Sequence, residues 1–190
     1  TATGTGTTTT VSGLSAGTYT FTVSDGTCSS TVSVNAVITS QPTTPIAPAV
    51  GTITQPSCTV ATGDVALSGL PSSGTWTVTV TPGGATSTGT GTTTTITGLT
   101  AGNTYTFTVS DGTCTSAVST NAVINAQPTV PSTPILGTVN QPSCTVATGD
   151  VAISGLPASG TWTITATPGG TTATGTGTTT TFSGLAGGST

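Results

Sequence analysis

Two long segments occur twice in this chain of 190 residues, letter for letter and at one interval. TYTFTVSDGTC spans 18–28 and again 104–114, and QPSCTVATGDVA spans 55–66 and again 141–152. Each pair is offset by 86 residues. Self-similarity at a fixed period is the signature of an array of similar structural units. The sequence therefore predicts tandem copies of one 86-residue repeat.

Pro-rich segments separate the repeats. QPTTPIAP at 41–48 and QPTVPSTP at 127–134 favour extended polyproline II geometry and predict semi-rigid linkers. They divide the chain into the C-terminal part of one repeat (1–40), a complete repeat (49–126) and the N-terminal part of a third (135–190), and we expect the array to continue beyond both ends. In an alternative arrangement the two partial repeats complete each other between molecules. Against it, GTGTTTTVSGL near the start and GTGTTTTFSGL near the end duplicate one strand.

The patterning within each repeat is that of β-strands. Thr, which is β-branched and suits a pleated surface, is the most common residue, and the helix formers Glu, Lys and Met are absent. Apolar and polar residues alternate around Trp76 and in TYTFTVS, where Tyr105, Phe107 and Val109 share one face. Seven strands are predicted in the complete repeat, at 49–54, 64–69, 74–81, 85–89, 92–99, 103–110 and 115–124. Seven short strands with frequent turns predict an all-β fold of two packed antiparallel sheets.

Aromatic residues at two positions narrow the fold further. Trp76 on the third strand and Tyr105 after the GLTAG turn lie where an immunoglobulin-like domain keeps its core Trp and its tyrosine corner. The Asp111-Gly112 pair matches a tight turn between the last two strands. We therefore predict tandem immunoglobulin-like β-sandwiches, with cores that include Trp76, Trp162, Tyr19, Tyr105, Phe107 and Val109.

The segment GLTAGNTYTFTVSDGTC, residues 98–114, resembles a known signature. It is similar to the pattern GL-x-AG-x-Y-T-x-T-V-x-D-x-x-G-C of immunoglobulin-like repeats in large secreted adhesins of gliding bacteria, the SprB-like type. The resemblance covers every repeat. It implies an exported, extracellular or cell-surface protein of many tandem domains that serves attachment or motility. This chain differs from the family pattern in its lack of basic residues.

Few side chains here can carry chemistry. The chain has no Lys, Arg, His or Met, and its acids are Asp25, Asp64, Asp111 and Asp150. Without His or Lys it lacks an ordinary general base near neutral pH and a Schiff-base amine, so we expect neither enzymatic activity nor a cofactor. Without Lys or Arg nothing neutralises phosphate, so nucleic acid is not an expected partner. Because no apolar run approaches the roughly 20 residues of a membrane helix, we expect no membrane insertion.

Each repeat has two cysteine positions, one before the second strand (Cys58, Cys144) and one after the sixth (Cys28, Cys114). No His and no Cys-x-x-Cys spacing accompanies them, which argues against zinc and for disulfides in an exported protein. In an immunoglobulin-like order the two positions lie at opposite ends of a domain, roughly 20 Å apart, whereas a disulfide needs Cα atoms within about 7 Å. We predict bonds between the Cys before the second strand of one repeat and the Cys after the sixth strand of the following repeat. An intra-repeat Cys58–Cys114 bond is the first alternative, and a link across the linker or between chains is the second.

Two further kinds of site are weaker predictions. Asp64, Asp111 and Asp150 are candidate calcium ligands where domain ends meet, but so few carboxylates fall short of a six- to eight-oxygen site, and Asp-Gly turns need no metal. Rows of Thr such as TGTGTTTT raise the hypothesis of ice binding. Ice recognition requires a flat, closely repeated array, which a twisted sandwich does not offer.

The absence of charge bears on the expected partners. A surface with almost no charge lacks repulsion between neighbouring molecules, so copies of the chain itself are the first expected partner. We predict a structural extracellular protein that forms a filament, fibre or stalk on or from a bacterial cell surface. The alternative is an array of adhesin modules that bind glycans or surfaces. Trp76 and Trp162 are its evident sugar-stacking side chains, although their alternation favours a place in the core.

Overall fold

The computed structural model describes residues 1–188, and every regular element within them is a β-strand. The first partial repeat contains β1 (Gly17–Tyr19) and β2 (Ala36–Ile38). The complete repeat contains β3 (Ala49–Thr54), β4 (Thr62–Ser68), β5 (Trp76–Thr81), β6 (Thr86–Gly89), β7 (Thr93–Thr100), β8 (Thr104–Ser110) and β9 (Ala122–Val123). The third repeat contains β10 (Ile135–Asn140), β11 (Thr148–Ser154), β12 (Trp162–Thr165), β13 (Thr172–Gly175) and β14 (Thr179–Ala186). The prediction of an all-β chain is confirmed, and no helix that could cross a bilayer occurs in residues 1–188.

The complete repeat consists of two antiparallel sheets that share one core. One sheet has the strand order β3-β4-β7 and the other the order β6-β5-β8-β9. Alternate residues of β4, β5 and β8 point inward, as the period of two in their sequences predicted. The inward side chains of both sheets form a single buried cluster: Val65, Leu67, Leu70, Trp76, Val78, Val80, Ile96, Leu99, Tyr105, Phe107, Val109, Ala122 and Ile124. Two sheets that bury one common apolar layer are a β-sandwich.

Trp76 is held in this core by glycine on the neighbouring strand. It is 2 % exposed and lies opposite Gly89 in the β5–β6 register. A Cβ at Gly89 would lie 2.7 Å from Cη2 of the Trp76 ring, which is closer than carbon atoms pack. The indole Nε1 donates a hydrogen bond to the Gly91 carbonyl at 2.7 Å. Glycine at position 89 therefore makes the space in which the indole lies flat against the strand.

The last segment of the complete repeat departs from the sequence prediction. A regular strand was expected over 115–124, but only Ala122–Val123 form one. Before it, the Ser116 amide donates to the Val109 carbonyl and the Ser119 amide donates to the Phe107 carbonyl. In return, the Val109 and Phe107 amides donate to the side-chain oxygens of Ser116 and Ser119, each at 2.9 Å. Contacts thus advance two residues along β8 and three along its partner, so the partner has one extra residue in this step, as at a β-bulge.

The first partial repeat contains the same pairing without the rest of the sandwich. Tyr19 of β1 pairs with Ala36 of β2. The Phe21 amide donates to Ser33 Oγ at 3.0 Å, in the manner of Phe107 and Ser119. The side chain of Phe21 is 39 % exposed, whereas that of Phe107 is fully buried.

The described residues from 128 to 188 form a compact unit of their own, distinct from residues 1–127. Their strands make one sheet of order β10-β11-β14 and a two-stranded sheet of β12 and β13. Four residues are buried between them: Ile153, Leu156, Trp162 and Phe182. These strands correspond to β3, β4, β7, β5 and β6 of the complete repeat, so this unit contains no equivalent of β8 and β9 within the described residues.

Candidate functional sites at the two ends of the complete repeat

The chain enters the complete repeat at one end and leaves it at the other. β3 begins at Ala49 beside Ser68, and the preceding linker passes the turn after β4, where Pro45 lies with Pro71 and Asp111 around a groove of about 360 Å³. We call this the upstream end. The downstream end includes the turn between β7 and β8, together with residues 122–127 and residues 55–60. Two contacts connect these segments, since the Gly102 amide donates to the Ile124 carbonyl and Gln55 Nε2 to the Val123 carbonyl.

At the upstream end, Asp111 organises the loop that carries Cys114. Its Oδ1 accepts hydrogen bonds from the Cys114 and Thr113 amides, both at 2.8 Å. These two hydrogen bonds, of which the one from the Cys114 amide has the larger effect, hold the pKa of the Asp111 carboxyl below its usual value. Gly112 follows with a φ of +92°, a conformation that favours glycine. The result is a closed turn that presents a half-buried thiol at this end.

The same turn recurs in the first partial repeat. Asp25 Oδ1 accepts hydrogen bonds from the Cys28 amide at 2.8 Å and the Thr27 amide at 2.9 Å. These bonds again lower the pKa of the Asp25 carboxyl, with the Cys28 amide as the largest cause. Cys28 is exposed. The identical sequence therefore builds an identical turn around each cysteine of this class.

At the downstream end, two glutamine side chains fasten the departing chain to the loop that carries Cys58. Gln55 accepts a hydrogen bond from the Asn125 amide at 2.8 Å through Oε1. Gln127 Nε2 donates to the carbonyl oxygens of Ser57 and Cys58, at 3.1 and 3.3 Å. The first residue of the linker is thereby bonded to the turn in which the exposed Cys58 lies.

The two cysteines of the complete repeat are separated by the length of a strand. β8 starts at the downstream end and ends, at Ser110, next to the turn that carries Cys114. Seven residues of strand span about 20 Å, whereas the Cα atoms of a disulfide lie within about 7 Å. All four cysteines of the chain are free thiols in this structure. This geometry argues against the intra-repeat Cys58–Cys114 alternative, and the inter-repeat bond stays a prediction.

Asp64 and Asp111 each accept backbone hydrogen bonds, at different places in the complete repeat. Asp64 Oδ1 accepts a hydrogen bond from the Gly98 amide at 3.0 Å, where the β4–β7 register shifts. Asp111 caps its own turn at the upstream end, and Asp64 lies two residues from the downstream end of β4. Asp150 is the equivalent residue on β11. Within residues 1–188, no three His, Cys, Asp or Glu side chains come together as a metal site would require.

The aromatic residues singled out from the sequence lie in the cores or at their corners. Trp162 is 8 % exposed, and its Nε1 donates to the Gly177 carbonyl at 2.7 Å, as Trp76 does to Gly91. The Tyr105 hydroxyl donates to the Thr100 carbonyl at 3.3 Å and the Tyr19 hydroxyl to the Ser15 carbonyl at 2.9 Å. Both tyrosines thus bond to the backbone a few residues upstream, which is the geometry of a tyrosine corner.

Sequence reasoning missed the glutamine contacts and the serine ladder. Both had a signal in the repeat, because Gln41 and Gln127 are one period apart, and the Ser-x-x-Ser spacing of 116 and 119 recurs at 30 and 33. No known family model matches any part of the chain, and no curated protein is similar enough to it to count as a relative.

Proposed function

We propose that this chain is a structural extracellular repeat protein whose domains join end to end into a filament, fibre or stalk on or from a bacterial cell surface. The observation that carries the proposal is the placement of the two ends. Each repeat receives the chain at one end and releases it at the other, and each end carries a cysteine on a hydrogen-bonded turn. Because both cysteine turns recur every 86 residues, every junction along an array would have the same two turns.

The immunoglobulin-like class of the domain is part of this proposal. The sheet of order β3-β4-β7 corresponds to strands A, B and E of an immunoglobulin-like domain. In the sheet of order β6-β5-β8-β9, β5, β8 and β9 correspond to strands C, F and G, and the fourth strand of the domain, β6, pairs with C. The Trp76 ring in the core and the Tyr105 corner support the same class. Such a domain is built almost entirely from turns, Thr-rich strands and one apolar layer. It therefore needs none of the basic residues that the chain lacks.

The covalent part of the proposal is a disulfide across each junction. Cys58 at the downstream end would bond to the Cys of the Asp-Gly turn in the following repeat, and Cys114 to the downstream Cys of the preceding repeat. Two thiols lose two electrons and two protons, which an oxidised thiol or disulfide carrier of the export compartment accepts. Gln127 supports this bond by holding the first residue of the linker against the Cys58 turn.

A glycan-binding function has less support than the structural one. Both Trp rings are buried, at 2 % and 8 % exposure, and both indole N–H groups are bonded to backbone carbonyls. A sugar stacks on an aromatic face that solvent can reach. The two Trp side chains therefore do not provide a platform for glycans.

Electron microscopy combined with peptide mapping tests the proposal. Antibodies against the complete repeat should label filaments on the outside of unpermeabilised source cells. Non-reducing digests of those filaments should yield the Cys58 peptide joined to a peptide of the Asp-Gly turn from the next repeat, and reductant should loosen the filaments. A Cys58–Cys114 peptide from a single repeat would contradict the disulfide scheme. Label confined to the cell interior, or to dispersed single molecules, would contradict the structural function.

A further inference from the structure

In the complete repeat, the sheet of order β3-β4-β7 ends on one side at β7, the longest strand of that repeat. β7 pairs with β4 alone, so the backbone groups on its other side have no partner strand within the described residues. Its sequence, TTTITGLT, contains no Pro and no charged residue. An edge strand with these properties is a template for pairing with another chain. We call residues 93–96, the part of β7 before its register shift, the open edge.

The other sheet edges of the complete repeat are short or interrupted. β3 lies between Pro48 and Pro56, and its register against β4 shifts after Val50. β6 has four residues and β9 has two. Short edges, prolines and bulges are the features by which proteins keep sheet edges from pairing. The open edge has none of these features, so among the edges of the complete repeat it is the one suited to strand addition.

The side chains around the open edge do not oppose contact with an identical edge. Thr93 and Thr95 are exposed. No charged residue occurs between Asp64 and Asp111. Asp64 accepts a hydrogen bond from the amide of Gly98, which lies beyond the register shift from the open edge. Opposed Thr residues form favourable cross-strand pairs, and two edges without charge do not repel each other.

We propose that the open edge pairs with the open edge of a second copy of this chain, in antiparallel orientation about a two-fold axis. The pairing joins the three-stranded sheets of two molecules into one continuous sheet. Antiparallel pairs are slightly more stable than parallel ones, and a two-fold axis lets one surface contact its own copy. The proposal rests on the proposed function for its biological role, since it joins neighbouring arrays side by side and leaves each array continuous.

The repeat determines why a second copy is the partner. Four residues of edge form only a few hydrogen bonds, each of small net value, so a single contact is weak. The edge recurs along an array, because β14 is the equivalent strand of the third repeat and pairs with β11 alone within the described residues. A second array carries the same series of edges at the same interval of 86 residues, so contacts along two arrays reinforce one another. A partner without that interval gains one weak contact.

The antiparallel orientation determines which arrays can meet. β7 ends at the turn that leads into β8, which belongs to the downstream end of the repeat, so β7 runs from the upstream end to the downstream end. Two arrays that pair through antiparallel β7 strands therefore run in opposite directions. Filaments anchored on one surface point the same way, whereas filaments from two facing surfaces run in opposite directions where they overlap. The contact thus suits cohesion between facing cells.

Cysteine crosslinking of the full chain, with its four cysteines replaced by Ser, tests the pairing. Residues opposed across a two-fold axis lie on the same face of the sheet, so the axis passes through Thr94 or Thr95, near the middle of the open edge. With oxidised glutathione, an axis at Thr95 predicts dimers of Thr95→Cys, and an axis at Thr94 predicts mixed dimers of Thr93→Cys with Thr95→Cys. Thr52→Cys, at an exposed position on the opposite edge of the sheet, is the control and should crosslink at least tenfold less. Yields no higher than that of the control in both tests would overturn the proposal.

Lysine substitutions separate this contact from the proposed function. Thr95→Lys/Thr181→Lys puts a positive charge on the exposed side of β7 and β14 and should weaken self-association in sedimentation at least tenfold. Thr52→Lys/Thr138→Lys puts the same charges on β3 and β10, at the opposite edges, and should leave self-association unaltered. Source cells with the first variant should keep single filaments and lose cohesion with one another. Filaments and cohesion that both persist would refute the contact and leave the proposed function standing, whereas purified chains that pair through this edge, from cells without filaments, would do the reverse.

Discussion

The side-chain oxygen of Ser119 accepts a hydrogen bond from the backbone amide of Phe107 at 2.9 Å, inside the core of the complete repeat. The same hydroxyl donates to the Thr120 carbonyl at 2.8 Å. One serine thus satisfies a strand amide that would otherwise need a carbonyl from a regular neighbouring strand. Ser116 accepts a hydrogen bond from the Val109 amide in the same way. Two hydroxyl groups, three residues apart, thus bind two amides of β8 that are two residues apart.

Ser119→Ala should destabilise the complete repeat by about 1–3 kcal/mol, because the Phe107 amide is left buried without an acceptor. Urea unfolding followed by Trp76 fluorescence measures the effect, in a Trp162→Phe background where Trp76 is the only indole. Thr120→Ala is the control, since this neighbouring side chain is exposed and its loss should change the free energy of unfolding by less than about 0.5 kcal/mol. Equal effects of the two substitutions would contradict the role assigned to the hydroxyl.

Gly89→Ala should lower stability by about 1–3 kcal/mol, because the new Cβ would lie 2.7 Å from the Trp76 ring. Trp76 fluorescence should shift to longer wavelength as the indole is displaced. Gly4 holds the equivalent position in the first partial repeat and has no atom within 4 Å of a built Cβ, so Gly4→Ala serves as the matched control. A Gly89→Ala protein with unchanged stability and spectrum would show that the ring does not depend on this glycine.

The turn that carries Cys114 should loosen in acid. The Cys114 and Thr113 amides lower the pKa of folded Asp111, so its contribution to stability is present above the unfolded value of about 4 and is lost as pH falls through the lower folded pKa. The amide proton shifts of Thr113 and Cys114 in NMR spectra should follow this titration. Asp111→Asn should retain the turn, since Oδ1 can still accept both bonds, and abolish the pH dependence. Amide shifts that titrate equally in Asp111→Asn would rule out this carboxylate as the cause.

Gln127→Ala should free the start of the linker without unfolding the repeat. The substitution removes the bonds to the Ser57 and Cys58 carbonyls, at an exposed site where each contributes little to global stability. Backbone order parameters at residues 127–130 should fall from near 0.85 toward 0.6 or below. Gln41→Ala, one period upstream, is the control for general effects of the substitution. An unchanged order parameter in the Gln127 variant would show that the linker is held by other contacts.

The sequence predicted which side chains are buried in this fold, but it did not predict the hydrogen bonds that particular side chains make. The alternation in β4, β5 and β8 predicted which residues are buried, because a period of two assigns each side chain to one face. The structure of residues 115–121, near the end of the repeat, could not be predicted in the same way. Residues 115–121 look like an irregular strand, and only the hydroxyl groups of Ser116 and Ser119 explain why they follow β8 with three residues to every two.

The candidate sites also combine features that the sequence predicted with contacts that it did not. The positions of Cys58 and Cys114 at opposite ends followed from strand order, because a seven-residue strand has a known length. The contacts of Gln55 and Gln127 did not follow, because they join residues about 70 positions apart and leave no periodic pattern within a single repeat. Side-chain bonds to distant carbonyl groups depend on the finished fold. A repeated Gln was visible, but its partners were not.

The separation of the two ends also determines how the repeat would respond to mechanical load. A pull along an array acts on the complete repeat at Ala49, where β3 starts, and at Ile124, just after β9. Such a pull runs parallel to the strands, so the hydrogen bonds between β3 and β4 are loaded in shear, and several must break together before β3 slides. If the two ends lay side by side, the same force would open the bonds one at a time. In an array, these hydrogen bonds would give tensile strength along the backbone to a chain that has no lysine for covalent cross-links between strands.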